Sequence, residues 1–130
     1  MVKFTSLIAL YFVALALLFS TASAGDSDDI VESPCTINSS CSCKLKLKAR
    51  DGGIEWEFEV DQNINNRKWL YTVKKKGVTT PLKKGSQVTK SPSGSFDVSG
   101  YTSNSAGTDT FIATASDTAS GESCKVINSF

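Results

Sequence analysis

Histidine is absent from this 130-residue chain. Because histidine is the commonest general base and a common metal ligand, its absence weighs against many classes of enzyme. The sequence also has no Gly-x-Ser-x-Gly motif, no phosphate-binding glycine loop and no EF-hand pattern. These absences predict a protein that is not an enzyme and that uses no cofactor and no metal ion.

Long apolar runs are scarce as well, since the chain has one, at residues 7–19. It follows Lys3 and ends near Ala22-Ser23-Ala24, which are small residues at the positions that a signal peptidase reads. The run is shorter than the roughly 18 apolar residues that a membrane span needs. We therefore predict a signal peptide at residues 1–24, no membrane span, and a secreted, extracellular protein.

The chain that would remain after cleavage of the signal peptide has no excess of either charge. Loss of Lys3 leaves 13 basic and 13 acidic residues. A neutral chain has no overall field to attract nucleic acid or a membrane surface, so we expect neither partner.

Four cysteines are present, at positions 35, 41, 43 and 124. An even number in a secreted chain predicts two disulfides. A zinc site with four cysteines usually has two close pairs of ligands, whereas three of these cysteines are bunched together and the fourth is far away. Disulfides are favoured, and four cysteines allow three connectivities.

Residues 25–40 are expected to precede the folded domain. Residues 25–33 are acidic and show no periodicity, which predicts a flexible leader. Asn38-Ser39-Ser40 is an N-glycosylation sequon in the loop between two cysteines, which makes Asn38 a candidate glycosylation site.

From residue 43 the pattern changes to strict alternation. Apolar and charged residues alternate over 43–48 and 54–60, and Asp51-Gly52-Gly53 between them has the residues of a tight turn. The pattern predicts a hairpin with an apolar face and a second face on which Lys44, Lys46 and Lys48 oppose Glu55, Glu57 and Glu59. We interpret this second face as a self-neutralising surface exposed to solvent.

Further short strands are predicted at residues 68–73, 87–89, 95–99, 108–115 and 123–127. About seven strands separated by Gly, Pro, Asn and Ser, without any helical periodicity, indicate an all-β antiparallel sandwich or barrel.

The segment SFDVSGYTSNSAGTDTFIA, residues 95–113, resembles the E–F region of the immunoglobulin superfamily in its I-set form. There, an alternating strand leads to a corner of the form Asp-Ala-Gly-x-Tyr-x-Cys-x-Ala, and residues 105–113 here read SAGTDTFIA. Trp69 corresponds to the core tryptophan of strand C. The resemblance covers about residues 43–127 and implies an immunoglobulin-like sandwich of about seven strands within a domain at 41–130.

Three hallmark side chains depart from that pattern. Phe58 and Phe111 occupy the positions of the two cysteines that usually join the sheets, and Asp109 replaces the corner tyrosine. We expect the two phenylalanines to pack beside Trp69 and to unite the layers in place of a sulfur bridge between the sheets. Without the tyrosine, the E–F loop is expected to be looser.

The resemblance also implies a role for the cysteines. In this fold the first strand can lie beside the last, which favours a Cys43–Cys124 bond that clips the chain ends together. Cys35 and Cys41 would then close a short loop. A Cys41–Cys124 bond remains nearly as plausible.

A cluster of lysines is the sharpest candidate for a binding site. Lys74, Lys75, Lys76, Lys83 and Lys84 flank a turn at residues 77–82, where they would gather as uncompensated charges. The competing interpretation is a solvated loop whose lysines discourage edge pairing. By strand parity, Leu70 and Tyr101 are expected to be exposed and could add apolar contact.

Two functions are consistent with these features. The resemblance implies a secreted domain for extracellular protein–protein recognition, as in small one-immunoglobulin-domain proteins that act at cell surfaces or synapses. The alternative is a secreted effector or inhibitor that binds sulfated glycans or other polyanions, a protease or a microbial target through the lysine-rich loop.

Overall fold

The computed structural model describes residues 28–130, and this range contains eight strands and no helix. The all-β prediction is confirmed, with one strand more than expected. The predicted signal peptide lies outside the described residues, and no helix within 28–130 is long and apolar enough to cross a membrane. The strands are β1 (Asp29–Pro34), β2 (Ser42–Arg50), β3 (Gly53–Asp61), β4 (Lys68–Lys75), β5 (Lys83–Val88), β6 (Ser95–Ser103), β7 (Thr110–Asp117) and β8 (Ser123–Ser129).

The strands form two four-stranded antiparallel sheets. The first sheet has the order β1-β2-β3-β6, and the second has the order β5-β4-β7-β8. The sheets enclose one apolar core, so the domain is a β-sandwich compatible with an immunoglobulin-like fold.

The β2–β3 hairpin forms in the predicted register. Lys44, Lys46 and Lys48 lie directly opposite Glu59, Glu57 and Glu55, respectively. The turn places Asp51 and Gly52 at φ values of 49° and 77°, the left-handed geometry that two-residue hairpin turns favour. The alternation therefore determined which side chains are buried and which face solvent.

The prediction of a flexible leader was wrong for residues 29–34. These residues form β1, which pairs with the edge of β2 and sets Glu32 opposite Lys44. Asp28 also forms an ion pair with Lys46, with 3.7 Å between Oδ2 and Nζ. The order of this segment comes from backbone pairing with β2, from the opposite charges there, and from Val31, which packs against the core.

The core combines aromatic and aliphatic side chains from both sheets. Phe58 on β3 and Phe111 on β7 have no exposed surface, and neither does Trp69 on β4. The ring of Trp69, however, pairs with Phe96 of β6, with ring centroids 6.3 Å apart, and Tyr71 contacts the same ring at the same distance. Phe96 is therefore the aromatic partner of Trp69, a position that we expected the phenylalanines at 58 and 111 to fill.

Two disulfides complete the frame. Cys35 pairs with Cys41, and Cys43 pairs with Cys124, with Cα–Cα distances of 5.3 and 6.2 Å. Cys43 belongs to β2 of the first sheet and Cys124 to β8 of the second, so this bond crosses from one sheet to the other. The expectation that the layers are united without a sulfur bridge was wrong, because the bridge is present at different positions.

Candidate functional site

The outer face of the second sheet carries lysines from three strands. Residues alternate between buried and exposed along β4 and β8, which places Lys68, Lys74 and Lys125 on the solvent side. Lys84 of β5 lies opposite Thr72, whose side chain faces outward between buried neighbours. We call Lys68, Lys74, Lys84 and Lys125, with the outward residues between them, the basic face.

The centre of the basic face is less polar than its margin. One row of side chains crosses the four strands, in the order Lys84, Thr72, Thr114 and Lys125. The two lysines lie at the ends of this row, on the edge strands β5 and β8.

Aliphatic side chains lie on either side of this row. Leu70 and Ile127 are about half exposed, at 49% and 48%, and Ile127 lies opposite Ile112. Leu70, Thr72, Thr114 and Ser116 also line an open, shallow depression of about 300 Å³. The face therefore has an apolar and hydroxyl-bearing centre inside a rim of lysines.

No carboxylate in the described part of the second sheet balances these lysines. Strands β4, β5 and β8 contain no Asp or Glu, and the one acidic residue of β7, Asp117, is buried. Within residues 28–130, none of the four lysines forms an ion pair. The basic face therefore keeps its positive charge exposed to solvent.

The first sheet differs on its exposed face. Lys46 pairs there with Asp28, and Arg50 pairs with Glu55 at 2.7 Å between Nη1 and Oε2. The Arg50 guanidinium, through its hydrogen bond and its charge, lowers the pKa of Glu55. This face mixes both signs of charge, as the alternation predicted.

The five lysines of the predicted patch do not act together. Lys74, Lys76 and Lys84 are exposed around the β4–β5 turn. Lys83 donates from Nζ to the backbone oxygen of Ser99 at 3.2 Å, which ties β5 to β6 of the other sheet. Lys75 points into the protein and is 8% exposed, so the expectation of five uncompensated charges was wrong for this residue.

The buried Lys75 explains why Asp109 stands at the corner position. The two side chains form an ion pair with 3.0 Å between Nζ and Oδ1, and Lys75 also donates to the backbone oxygen of Ser103 and to the hydroxyl of Ser105. Its ammonium group lies 5.9 Å from the centre of the Phe111 ring. The hydrogen bond from Lys75, followed by that from the Ser105 amide, lowers the pKa of Asp109.

The same carboxylate fixes the loop that we expected to be loose. The Ser105 amide donates to Asp109 Oδ2 at 2.9 Å, and the backbones of Asp109 and Phe130 exchange two hydrogen bonds. Because Asp109 is anchored from both sides, the loss of the corner tyrosine does not free this loop.

Asp117 and Glu122 hold two further loops. Asp117 accepts hydrogen bonds from the Gln62 side chain, the Ala119 amide and the Ser120 hydroxyl, and Gln62 in turn accepts one from the Trp69 indole. Burial raises the pKa of Asp117, but these hydrogen bonds, together with the charge of Arg67 at 3.9 Å, lower it by more, so the net shift is downward.

Glu122 organises the disulfide-closed loop at residues 35–41. Its two carboxylate oxygens accept hydrogen bonds from the amides of Ile37 and Asn38, at 2.7 and 2.8 Å, and from the Thr36 hydroxyl. Burial raises the pKa of Glu122, and these hydrogen bonds outweigh it, so the net shift is again downward. The carboxylates of Asp109, Asp117 and Glu122 are therefore used inside the protein.

No family model, curated protein or solved structure matches this chain. The geometry of its exposed faces is therefore the basis on which we assign a function. Residues 28–130 also contain no cluster of three or more side chains suited to hold a metal ion.

Asn38 lies on the exposed surface of the loop that Cys35 and Cys41 close. Its Oδ1 atom accepts hydrogen bonds from the amide and the hydroxyl of Ser40, both at 3.0 Å. Glycosylation of Asn38 stays a prediction.

Sequence reasoning missed Lys68 and Lys125 as members of the site. Lys125 is far along the chain from the other lysines, and only strand pairing brings it into the same row as Lys84. A signal was present in the alternation, since Lys68 has the parity of Leu70 and Lys125 that of Ile127. The expected exposure of Leu70 and Tyr101 is confirmed, at 49% and 56%.

Proposed function

We propose that this protein is a secreted, non-enzymatic domain that recognises another extracellular protein through the basic face. The observation that carries the proposal is the arrangement of that face, in which four lysines without ion pairs within the described chain surround a centre of Leu70, Thr72, Ile112 and Thr114.

This arrangement has the anatomy of a protein interface. Such interfaces combine a less charged centre, which is fully desolvated on binding, with a polar rim that stays near water. Charges on the rim contribute mostly to the rate of encounter and to specificity. The partner is then a protein surface with apolar side chains at its centre and carboxylates around them.

We also propose a relationship to the immunoglobulin superfamily. In that fold, strands A, B and E share one sheet and strands C, F and G share the other. Here β2, β3 and β6 are neighbours in one sheet, and β4, β7 and β8 are neighbours in the other. Trp69 on β4 then occupies the position of the strand C tryptophan, and the two disulfides fit an oxidising, extracellular environment.

The proposal is tested by capture from the extracellular surroundings of the tissue that secretes the protein. The tagged protein is crosslinked there, and captured proteins are identified for the wild type and for the double variant Leu70→Ala/Ile112→Ala. We expect the variant to lose the captured partner. A matched control is Ile30→Ala, which removes an exposed aliphatic side chain from β1 of the other sheet. Equal capture by wild type and double variant would contradict the proposal.

A polyanion such as a sulfated glycan is the second candidate ligand, and the exposed Lys74, Lys76 and Lys84 favour it. The same double variant distinguishes the two candidates because it leaves every charge in place. A polyanion should bind it as well as the wild type and should be released by moderate salt. A protein partner should be lost when the apolar centre is truncated, and only weakened when a single lysine is replaced.

A further inference from the structure

The first sheet carries an acidic stripe that complements the basic face. Strands β3 and β6 contain five carboxylates and no Lys or Arg. By the alternation of β3 and the pairing with β6, these residues point to the solvent side of the first sheet. The acidic stripe consists of Glu55, Glu57, Glu59 and Asp61 on β3 and Asp97 on β6.

Lysines of β2 face three carboxylates of the acidic stripe, since Lys44, Lys46 and Lys48 lie opposite Glu59, Glu57 and Glu55. Asp61 and Asp97, by contrast, have no Lys or Arg directly opposite them. Glu55 is paired with Arg50, but none of the other four carboxylates forms an ion pair within residues 28–130. Glu59 and Asp97 lie directly opposite each other across β3 and β6. Like charges in that position disfavour the sheet, and a cation from another molecule would relieve their repulsion.

The spacing of the two charged surfaces also matches. Lys68 and Lys74 are six positions apart on β4, and Glu55 and Asp61 are six positions apart on β3. At about 3.3 Å per residue, each pair spans roughly 20 Å along its strand. The acidic stripe is the β3–β6 half of the exposed face of the first sheet, beside the lysines of β2, so the matching contact is between this half and the basic face.

We propose that a second copy of this chain is one partner of the basic face, and that it docks through its acidic stripe. This inference rests on the proposed function of the basic face and names an occupant for it. Because the two surfaces lie on opposite sides of the sandwich, the contact is head-to-tail, and a pair of copies retains one free basic face and one free acidic stripe.

The size of the surfaces sets the strength of this contact. A four-stranded sheet face of this length covers roughly 450 Å². Two such faces together bury less than the about 1,200 Å² of a standard stable interface. The association is therefore weak, reversible and dominated by charge, so it should be strong at low ionic strength and disappear as salt screens it.

The test uses the disulfide-bonded protein recovered from culture medium and measures its mass by sedimentation equilibrium. At about 10 mM ionic strength, where the Debye length is about 30 Å, the average mass of the wild type should rise with concentration. At about 1 M it should stay that of the monomer. A wild type that stays monomeric at low salt up to millimolar concentration would overturn the proposal.

Two charge-reversal variants make the test specific. Lys84→Glu/Lys125→Glu removes the basic face, and Glu59→Lys/Asp97→Lys removes the acidic stripe. Each variant alone should remain monomeric, because each lacks one of the two surfaces. An equal mixture should associate, because the intact acidic stripe of the first variant meets the intact basic face of the second, and the two reversed surfaces are complementary as well. Association of either variant alone, or no dimer in the mixture, contradicts head-to-tail docking.

A control and a second readout separate this inference from the proposed function. Lys90→Glu changes an exposed lysine outside the strands and should associate as the wild type does. If the mixture gives no dimer but Leu70→Ala/Ile112→Ala still loses its captured partner, self-association is wrong and the recognition role stands. If the mixture gives no dimer and Leu70→Ala/Ile112→Ala captures the partner as well as the wild type does, the recognition role fails as well.

Discussion

The two sheets share a core, but their exposed faces differ in charge. The first sheet displays both signs on its exposed face, where Arg50 pairs with Glu55 and Lys46 with Asp28. In the second sheet and the turns that flank it, the carboxylates of Asp109, Asp117 and Glu122 are buried, and exposed lysines stand without them. The charges of the two parts cancel in the sum, so a neutral composition does not reveal the basic surface of the second sheet.

The burial of acids in and beside the second sheet leaves its exposed lysines without opposite charge among residues 28–130. Each of the three carboxylates is satisfied by amides, hydroxyls or an inward lysine, and each holds a loop at an end of the sandwich. Because these acids are withdrawn from the surface, no carboxylate among residues 28–130 pairs with the lysines of the basic face. Loop stability and surface charge are therefore linked in this domain.

The disulfide between the two sheets should make the largest contribution to the free energy of unfolding. Replacing Cys43 and Cys124 by serine opens a loop of 81 residues. In the chain-entropy model this costs about 4.5 kcal/mol, whereas loss of the Cys35–Cys41 bond costs about 2 kcal/mol. Urea unfolding of the two double variants measures both values. Equal losses would show that the sheets do not depend on the bond between them.

Loss of a buried ring should destabilise the protein to the same degree in either sheet, although the exposed faces of the sheets differ. Phe111→Ala and Phe58→Ala each remove a fully buried ring, one from each sheet. We expect the free energy of unfolding to fall by about 3–5 kcal/mol in both cases. A loss below about 1 kcal/mol for Phe111→Ala, measured by denaturant unfolding, would mean that β7 does not lie in the core as described.

Acid should destabilise the domain through its buried carboxylates. The folded-state pKa values of Asp109, Asp117 and Glu122 are lowered, so their stabilising effect is complete above their ordinary pKa values, 3.8 for Asp and 4.5 for Glu, and is lost as the pH falls through the lowered ones. The midpoint temperature of thermal unfolding should decrease as the pH is lowered below 4.5. Glu122→Gln should flatten that dependence, because the amide does not ionise. Identical profiles for the wild type and Glu122→Gln would contradict this role.

Exposed lysines should have the smallest effect on folding. Lys84→Ala and Lys125→Ala should each change the free energy of unfolding by less than about 0.5 kcal/mol, because neither side chain forms an ion pair within residues 28–130. Both variants should nevertheless weaken binding at the basic face. A stability loss above about 1 kcal/mol, measured by urea unfolding, would mean that these lysines are structural.

Alternation made much of the fold predictable. Glu55, Glu57 and Glu59 opposite three lysines specified the β2–β3 register, since a slip of one residue would bury all of these charges. Phe58 was expected in the core from the alternation, and Trp69 and Phe111 from the resemblance to immunoglobulin domains; the structure buries all three.

The rest depended on contacts between segments distant in sequence. β1 gains its order from β2, and Lys75 is buried because Asp109 and the backbone of Ser103 receive it from other parts of the chain. Lys125 joins the basic face through the pairing of β7 with β8. Local pattern gives a residue its side of a strand, but neighbouring strands determine which other residues share that side.

Residue-resolved crosslinking tests the central claim most directly. The protein is crosslinked through its lysines to its native extracellular surroundings, and the lysine bearing each intermolecular link is identified by mass spectrometry. We predict that links to other proteins concentrate at Lys68, Lys74, Lys84 and Lys125 and decrease in Leu70→Ala/Ile112→Ala. Links concentrated at Lys44, Lys46 and Lys48 would place recognition on the first sheet and contradict the account.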